Sequence, residues 1–298
     1  MSQPVIVYNR YTKELETEVI YGEAFLRWAY ENPLGRATTE LLVKRGLFSH
    51  FYGWRMNQPA SREKIAPFIE QYKISVEEMA DAPESFPHFN AFFSRKLKPA
   101  ARPIAADENA IVFPADGRHF AITDVSKSDG IFVKGIAFNL GRLVKDASVG
   151  RKYAQGSMLI SRLCPVDYHR FHFPWGGLPQ APFLVNGPLY SVNPIALRRH
   201  PSLFWENKRY ITSLQTDDLG EILFLEVGAT CVGTVKHTNR PGQTVQKGDE
   251  KGYFLFGGSC VITLFEPGRI RFSDDLVEQS AQRREVYARM GDVAAWKV

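Results

Sequence analysis

The sequence predicts an α+β fold: an N-terminal helical segment over residues 1–105, then a β-rich domain over residues 106–298. Three observations lead there. Before residue 105, apolar residues recur at helical spacing, as in Phe25, Leu26, Trp28 and Ala29. From Ile111 onward, short β-branched and aromatic runs are divided by Gly, Pro, Asn and Asp. The whole chain is 44% hydrophobic against 23% charged, enough to bury a substantial core and too apolar for extended disorder.

The elements follow in order. Tyr8-Asn9-Arg10-Tyr11-Thr12 reads as a short extended or hairpin segment. A helix is expected from Gly22 to about Tyr30, broken by Asn32-Pro33-Leu34-Gly35. A second helix is expected over roughly Ala37 to Tyr52, where Leu41, Leu42, Val43, Leu47, Phe48 and Phe51 interleave with Lys44 and Arg45. Aromatic residues beside basic ones on these two segments suit a helix lying in a membrane interface, as they suit an ordinary amphipathic pair packed on a core. A third helix is expected over Ser61 to Gln71, with Ser61 as N-cap and Lys64 where a capping-box acid would stand. Phe86 to Pro103 reads as a short aromatic helix running into a basic, proline-punctuated linker. Within the β-rich part, strands are expected at Ile111-Val112-Phe113, Ile131 to Gly135, Ser157 to Ser161 and Ile222 to Gly228. Two more flank Phe256-Gly257-Gly258-Ser259-Cys260, which by itself reads as a tight turn or bulge with a serine at its tip.

Charge and cysteine content narrow the function classes. The net charge of +5 favours anionic partners, but the basic residues are scattered and no nucleic-acid motif accompanies them, so no nucleic acid is expected. Cys164, Cys231 and Cys260 have no metal-type spacing, and a reducing compartment is the simplest reading. The N-terminus lacks a basic region followed by an apolar run, and no apolar stretch is long enough to span a bilayer. Any membrane contact is therefore expected from the surface.

Three polar islands interrupt the β-rich part: Pro114-Ala115-Asp116-Gly117, the run from Cys164 to Pro174 with Asp167-Tyr168-His169-Arg170-Phe171-His172 at its centre, and Gly257-Gly258-Ser259. An Asp-Gly after a strand is by itself a turn signal, and a histidine in an apolar run is often a buried structural one. Residues three apart on an extended chain face opposite sides, so His169 and His172 are expected to serve different purposes, and a shared metal is not expected. Together the islands supply a carboxylate, an imidazole and a hydroxyl, the parts of an activated nucleophile. The Gly-x-Ser-x-Gly elbow of many serine hydrolases is absent.

These islands, in this order, closely resemble the phosphatidylserine decarboxylase family, in its shorter bacterial branch. The resemblance extends over nearly the whole chain. It takes in Tyr8-Asn9-Arg10, Phe92-Phe93-Ser94-Arg95-Lys96-Leu97, Ala101-Arg102-Pro103-Ile104, Tyr190-Ser191-Val192-Asn193-Pro194, Glu226-Val227-Gly228-Ala229-Thr230 and Lys247 to Phe254. It implies a proenzyme that cuts itself between Gly258 and Ser259 into a β chain of residues 1–258 and an α chain of residues 259–298, held together as a heterodimer. It implies a covalent pyruvoyl cofactor made from Ser259, which forms a Schiff base with the amine of phosphatidylserine and accepts the electrons left by CO₂. Asp116 and His172 are implied as orienting acid and base for Ser259, and His169 as proton donor in decarboxylation. Ser191 and Asn193 are expected near the substrate phosphate, and a peripheral place on the cytoplasmic side of the cell membrane is expected. A soluble amino-acid substrate, or a non-catalytic binding domain, are the alternatives. The sequence departs from the family at Cys260, where Thr or Ser is expected; a thiol there would slow maturation or compete as nucleophile.

Overall fold

The computed structural model describes residues 4–39, 41, 46–128, 139–197, 202–229, 235–257 and 259–298. The expected strand at Ile131–Gly135 lies outside the described residues, as do Leu42, Val43, Lys44, Arg45, Cys231 and Gly258.

The frame is a ten-stranded sheet with Ser259–Phe265 near its middle. That strand runs antiparallel to Ser157–Leu163 on one side and Glu221–Val227 on the other. Beyond Ser157–Leu163 come Gly117–Ile122, Glu285–Ala288, Ile6–Asn9 and Glu14–Thr17; beyond Glu221–Val227 come Arg209–Gln215 and its partners Leu178–Pro179 and Phe183–Val185. The expected N-terminal hairpin is thus present, and it extends the main sheet, with Val7 in parallel register to Glu285.

The central strands are buried on both faces, which is why they read as unbroken apolar runs. Alternate residues divide between two cores. Cys260, Ile262 and Leu264 enter an aliphatic cluster with Met158, Ile160, Leu223 and Leu225, covered by helices Glu23–Glu31 and Leu140–Val144. Val261 points the other way, into a cluster with Phe171 and Phe254. Those two belong to a small sheet, Val235–His237, Glu250–Phe254 and Arg170–His172, laid over that face. A fully buried ion pair, Lys251 with Glu226, ties the small sheet to the large one. Breaking one partner of such a pair leaves an uncompensated charge, so it holds one placement against others.

The two strands flanking the Gly-Gly-Ser stretch do not pair with each other. Glu250–Phe254 ends in the small sheet and Ser259–Phe265 begins in the large one. The stretch is therefore a crossover between sheets rather than the hairpin turn that its composition suggests.

The helical part departs from expectation in two places. Asn32-Pro33 does not merely break a helix; it starts one, Pro33–Thr38, because the Asn32 side chain accepts from Leu34 N at 2.9 Å and Pro33 fills the first position. The next described helix is Gly46–Met56; Glu40 and residues 42–45 of the expected run from Ala37 lie outside the described residues. Ser61 is not an N-cap. It lies in the 3₁₀ turn Pro59–Lys64, donates to Met56 O at 2.9 Å, and accepts from Phe89 N at 2.9 Å. The aromatic helix is present as Phe89–Phe93, and with Phe68, Phe86 and Phe256 it forms a separate aromatic core. Among the described residues no helix is long and apolar enough to cross a membrane.

Candidate active site

Ser259 opens the central strand, paired with Leu163. Strand alternation puts its side chain on the face of Val261, beneath the small sheet, and Cys260 on the opposite face. Ser259 is fully buried, and its Oγ has no hydrogen-bond partner among the described residues. A buried hydroxyl left unsatisfied costs about 1–3 kcal/mol, which is tolerated at sites kept for chemistry. The residue before the Gly258–Ser259 pair, Gly257, has φ of +137°, a conformation that side-chain-bearing residues seldom adopt.

The imidazoles come from the chain that leaves Leu163, the partner of Ser259, and turns back into the small sheet. His169 is fully buried, its ring tilted against Phe93 at 3.9 Å between centroids. Its Nδ1 meets the Asp167 carbonyl at 3.1 Å and must donate there, so Nε2 carries the lone pair. Nε2 is buried without a hydrogen-bond partner among the described residues. Burial pushes the His169 pKa down to about 3, although the neighbouring Gly257 carbonyl favours a proton there without closing a hydrogen bond. His169 therefore borders the scissile segment as a neutral ring, not as one titrating near neutrality.

His172 has other partners. Its Nδ1 donates to the Gly248 carbonyl at 2.9 Å, leaving Nε2 to accept from the Tyr168 hydroxyl at 3.2 Å. Burial lowers its pKa, and the Gly248 carbonyl and the charges of Glu250 and Asp116 pull it back up. The two histidines thus look to different partners, as their spacing suggests.

Asp116 is buried and its carboxylate is fully engaged. Arg102 Nε lies 2.9 Å from each oxygen, Arg102 also donates through a terminal nitrogen at 2.6 Å, and Met290 N donates to Oδ1 at 2.9 Å. The orienting hydrogen bond expected from Asp116 to His172 is replaced by this clamp, because a bidentate guanidinium is the stronger partner. Asp116 acts on His172 through its charge. The following Gly117 is dictated by crowding: a Cβ there would stand 2.4 Å from the Arg162 carbonyl of the adjacent strand.

His119 is held by Ser161 Oγ at 2.9 Å and by the Ala288 carbonyl, in the body of the sheet. The thiol of Cys260 lies in the aliphatic core, and burial pushes its pKa far up, so it is a poor nucleophile and faces away from Ser259.

A cavity of about 330 Å³ opens beside Gly257. Phe256, Ser191, Asn193, Phe25 and Tyr52 contribute to its wall. Ser191 Oγ accepts from Asn193 N at 3.2 Å, and Asn193 Oδ1 from Ile195 N at 3.0 Å, so both side chains are pre-set on that wall. Glu18 and Arg162 also line it, joined at 2.5 Å.

The chain was compared with known proteins. The profile of the phosphatidylserine decarboxylase family matches residues 89–294. The chain belongs to the phosphatidylserine decarboxylase family. Among its relatives, the phosphatidylserine decarboxylase proenzyme of Clostridium beijerinckii is 43% identical over 292 residues, 98% of this chain and 99% of that one. The proenzyme of Chlamydia pneumoniae is 44% identical over 291 residues, 98% of this chain and 96% of the relative. The family match takes in Asp116, His169, His172, Ser191, Asn193 and Ser259. Sequence reasoning did not single out Arg102 or Tyr168. Arg102 stands in the quoted Ala101-Arg102-Pro103 run, but nothing local to that run points to Asp116.

Proposed function

We propose that this chain is made as a precursor that cuts itself between Gly258 and Ser259 and then decarboxylates phosphatidylserine to phosphatidylethanolamine and CO₂. The observation that carries this reading is Ser259 itself: a buried hydroxyl without a partner among the described residues, at the start of the central strand and two residues after Gly257, whose positive φ suits glycine and which His169 borders. The printed names of the family relatives, proenzymes of phosphatidylserine decarboxylase, support it.

In maturation, Ser259 Oγ gives its proton to a base and attacks the Gly258 carbonyl carbon. The Gly258–Ser259 C–N bond breaks, the nitrogen takes a proton, and an ester joins the two halves. Loss of the Ser259 Cα proton expels the Gly258 carboxylate and leaves dehydroalanine; one water then releases ammonia and leaves a pyruvoyl ketone. His172 is our assigned base: the Gly248 contact puts the lone pair on Nε2, which must exchange the Tyr168 hydroxyl for the Ser259 proton. The Asp116 carboxylate, clamped by Arg102, favours the imidazolium that forms.

The pyruvoyl group supplies an electrophile for the substrate amine and a sink for the electron pair left by CO₂. The residues around Ser259 fit it, because the hydroxyl they enclose has no other bond to lose. His169 is assigned as proton donor to the carbon that lost CO₂: its Nε2 has no partner among the described residues and is the ring nitrogen free to carry that proton once substrate fills the site. Ser191 and Asn193 face the headgroup phosphate from the cavity wall.

The exposed Phe25, Trp28, Phe51 and Trp54 on two helices beside that cavity support peripheral docking on an anionic membrane. The free thiols Cys164 and Cys260 suit its cytoplasmic side.

Replacing Ser259 with Ala tests the core of the reading. The variant should remain one chain, and the wild type should release a C-terminal fragment of 298 − 258 = 40 residues. A 40-residue fragment from the Ala variant would place the cut on other chemistry. CO₂ release from phosphatidylserine but not from free serine should then identify the substrate.

A further inference from the structure

Asn90 is the one polar residue in the aromatic run Phe89-Asn90-Ala91-Phe92-Phe93, and it is 1% exposed. A buried amide in an aromatic core needs several partners. Its Oδ1 accepts from the backbone N–H of Phe256 at 2.8 Å. Its Nδ2 donates to Gly53 O at 3.2 Å and to Asn57 Oδ1 at 2.9 Å. With one donor facing Oδ1 and two acceptors facing Nδ2, the amide has a single orientation.

Phe256 is the last residue before the Gly257-Gly258 pair. Its ring is boxed by Tyr21, Tyr52, Phe89 and Phe93, with centroids 5.0–5.7 Å away. A packed ring fixes where the side chain sits; it does not fix how the backbone leaves. The hydrogen bond to Asn90 does, because it fixes the Leu255–Phe256 peptide plane, so that only the Phe256 dihedral angles separate a held backbone from Gly257, whose φ of +137° begins the crossover to the large sheet.

We infer that Asn90 is a positioning residue for self-cleavage: it holds the Phe256 amide and so sets the backbone path into the Gly258–Ser259 bond. After the cut the same bond keeps the new chain end in place, with Phe256 and Gly257 as part of the cavity wall. This inference rests on the proposed cut between Gly258 and Ser259.

Positioning and mere support of the fold make opposite predictions for two substitutions. Asn90→Asp keeps an acceptor for Phe256 N–H but loses both Nδ2 donors and sets a buried carboxylate against Gly53 O and Asn57 Oδ1. Asn90→Ala loses everything but adds no charge. Melting temperature, read in the Ser259→Ala background, should therefore fall further for Asp than for Ala. Cleavage, read as appearance of the 40-residue fragment during cell-free synthesis, should follow the reverse order: Asp within about threefold of wild type, Ala slowed about tenfold or more. A third arm does not disturb Asn90. Phenyllactic acid incorporated at position 256 replaces only the amide N–H with oxygen, and should slow cleavage as Asn90→Ala does, with no further slowing in the double variant. Cleavage rates that follow melting temperature, or an ester-bearing chain that cleaves like wild type, overturn the inference and leave the cleavage reading intact. A wild-type chain that yields no fragment overturns both.

Discussion

At the scale of single residues, the site separates two histidines that the sequence places three apart. His172 is in the base-ready tautomer beside the Asp116 charge, and His169 borders Gly257. We therefore expect His172→Ala to accumulate uncleaved precursor, slowed by about 10²–10⁴-fold as for loss of a general base. His169→Ala should still cleave and then release CO₂ poorly. A gel for cleavage and a CO₂ assay on one sample decide the matter; full turnover by cleaved His169→Ala removes it from the mechanism. The residue types of this site were legible in the sequence because a carboxylate, imidazoles and a hydroxyl stand out in an apolar chain. Their partners were not. Arg102 reaches Asp116, Tyr168 reaches His172 and Asn90 reaches Phe256 only after the fold has brought them together. Ser61 was read as a cap because local patterns report local bonds, whereas its hydroxyl accepts from Phe89.

At the scale of elements, the helices Glu23–Glu31 and Gly46–Met56 present Phe25 with Trp28 and Phe51 with Trp54, each pair 6.0 Å between ring centroids and open to solvent. Burying one such side chain is worth about 1.5–3 kcal/mol. Phe51→Ser with Trp54→Ser should thus weaken binding to phosphatidylserine-containing vesicles by about tenfold or more, read by co-sedimentation. The salt dependence should be smaller than a count of arginines suggests, because Arg27 is paired with Glu23 at 2.5 Å and with Glu31 at 3.4 Å. Unchanged binding by the double variant would move the docking face elsewhere. The strands at Ser157–Leu163, Glu221–Val227 and Ser259–Phe265 could be read from their apolar runs. Which of them pair could not, since register depends on contacts far apart in the chain; hence the Gly-Gly-Ser stretch looked like a hairpin turn and is a crossover.

At the scale of the whole molecule, the buried histidines make stability depend on pH. Burial lowers His119 and His169 from 6.5 to about 3 each. The unfolded chain binds those protons first, so stability is complete above pH 6.5 and falls as pH drops. Down to about pH 4.5, above the carboxylate range, the slope should approach roughly 1.4 kcal/mol per pH unit for each ring. Thermal melts of the Ser259→Ala precursor should record it, and His119→Gln should remove one ring's share, up to about 1.4 kcal/mol per pH unit; a flat profile would mean the rings are protonated in place. The crossover near Gly257 bears on the same molecule in another way. Everything after residue 258 includes the central strand, whose neighbours on both sides, Ser157–Leu163 and Glu221–Val227, lie before it. Once the proposed cut severs that link, the short piece cannot leave without tearing the main sheet through its middle, and it cannot be put back by one chain acting alone. Folding is a first-order event for the precursor and a second-order encounter for its products, slower at every dilution. Maturation in this architecture is a one-way gate: a denatured mature enzyme would have to find its lost fragment in solution, so recovery from heat or acid should depend on protein concentration after the cut and not before it.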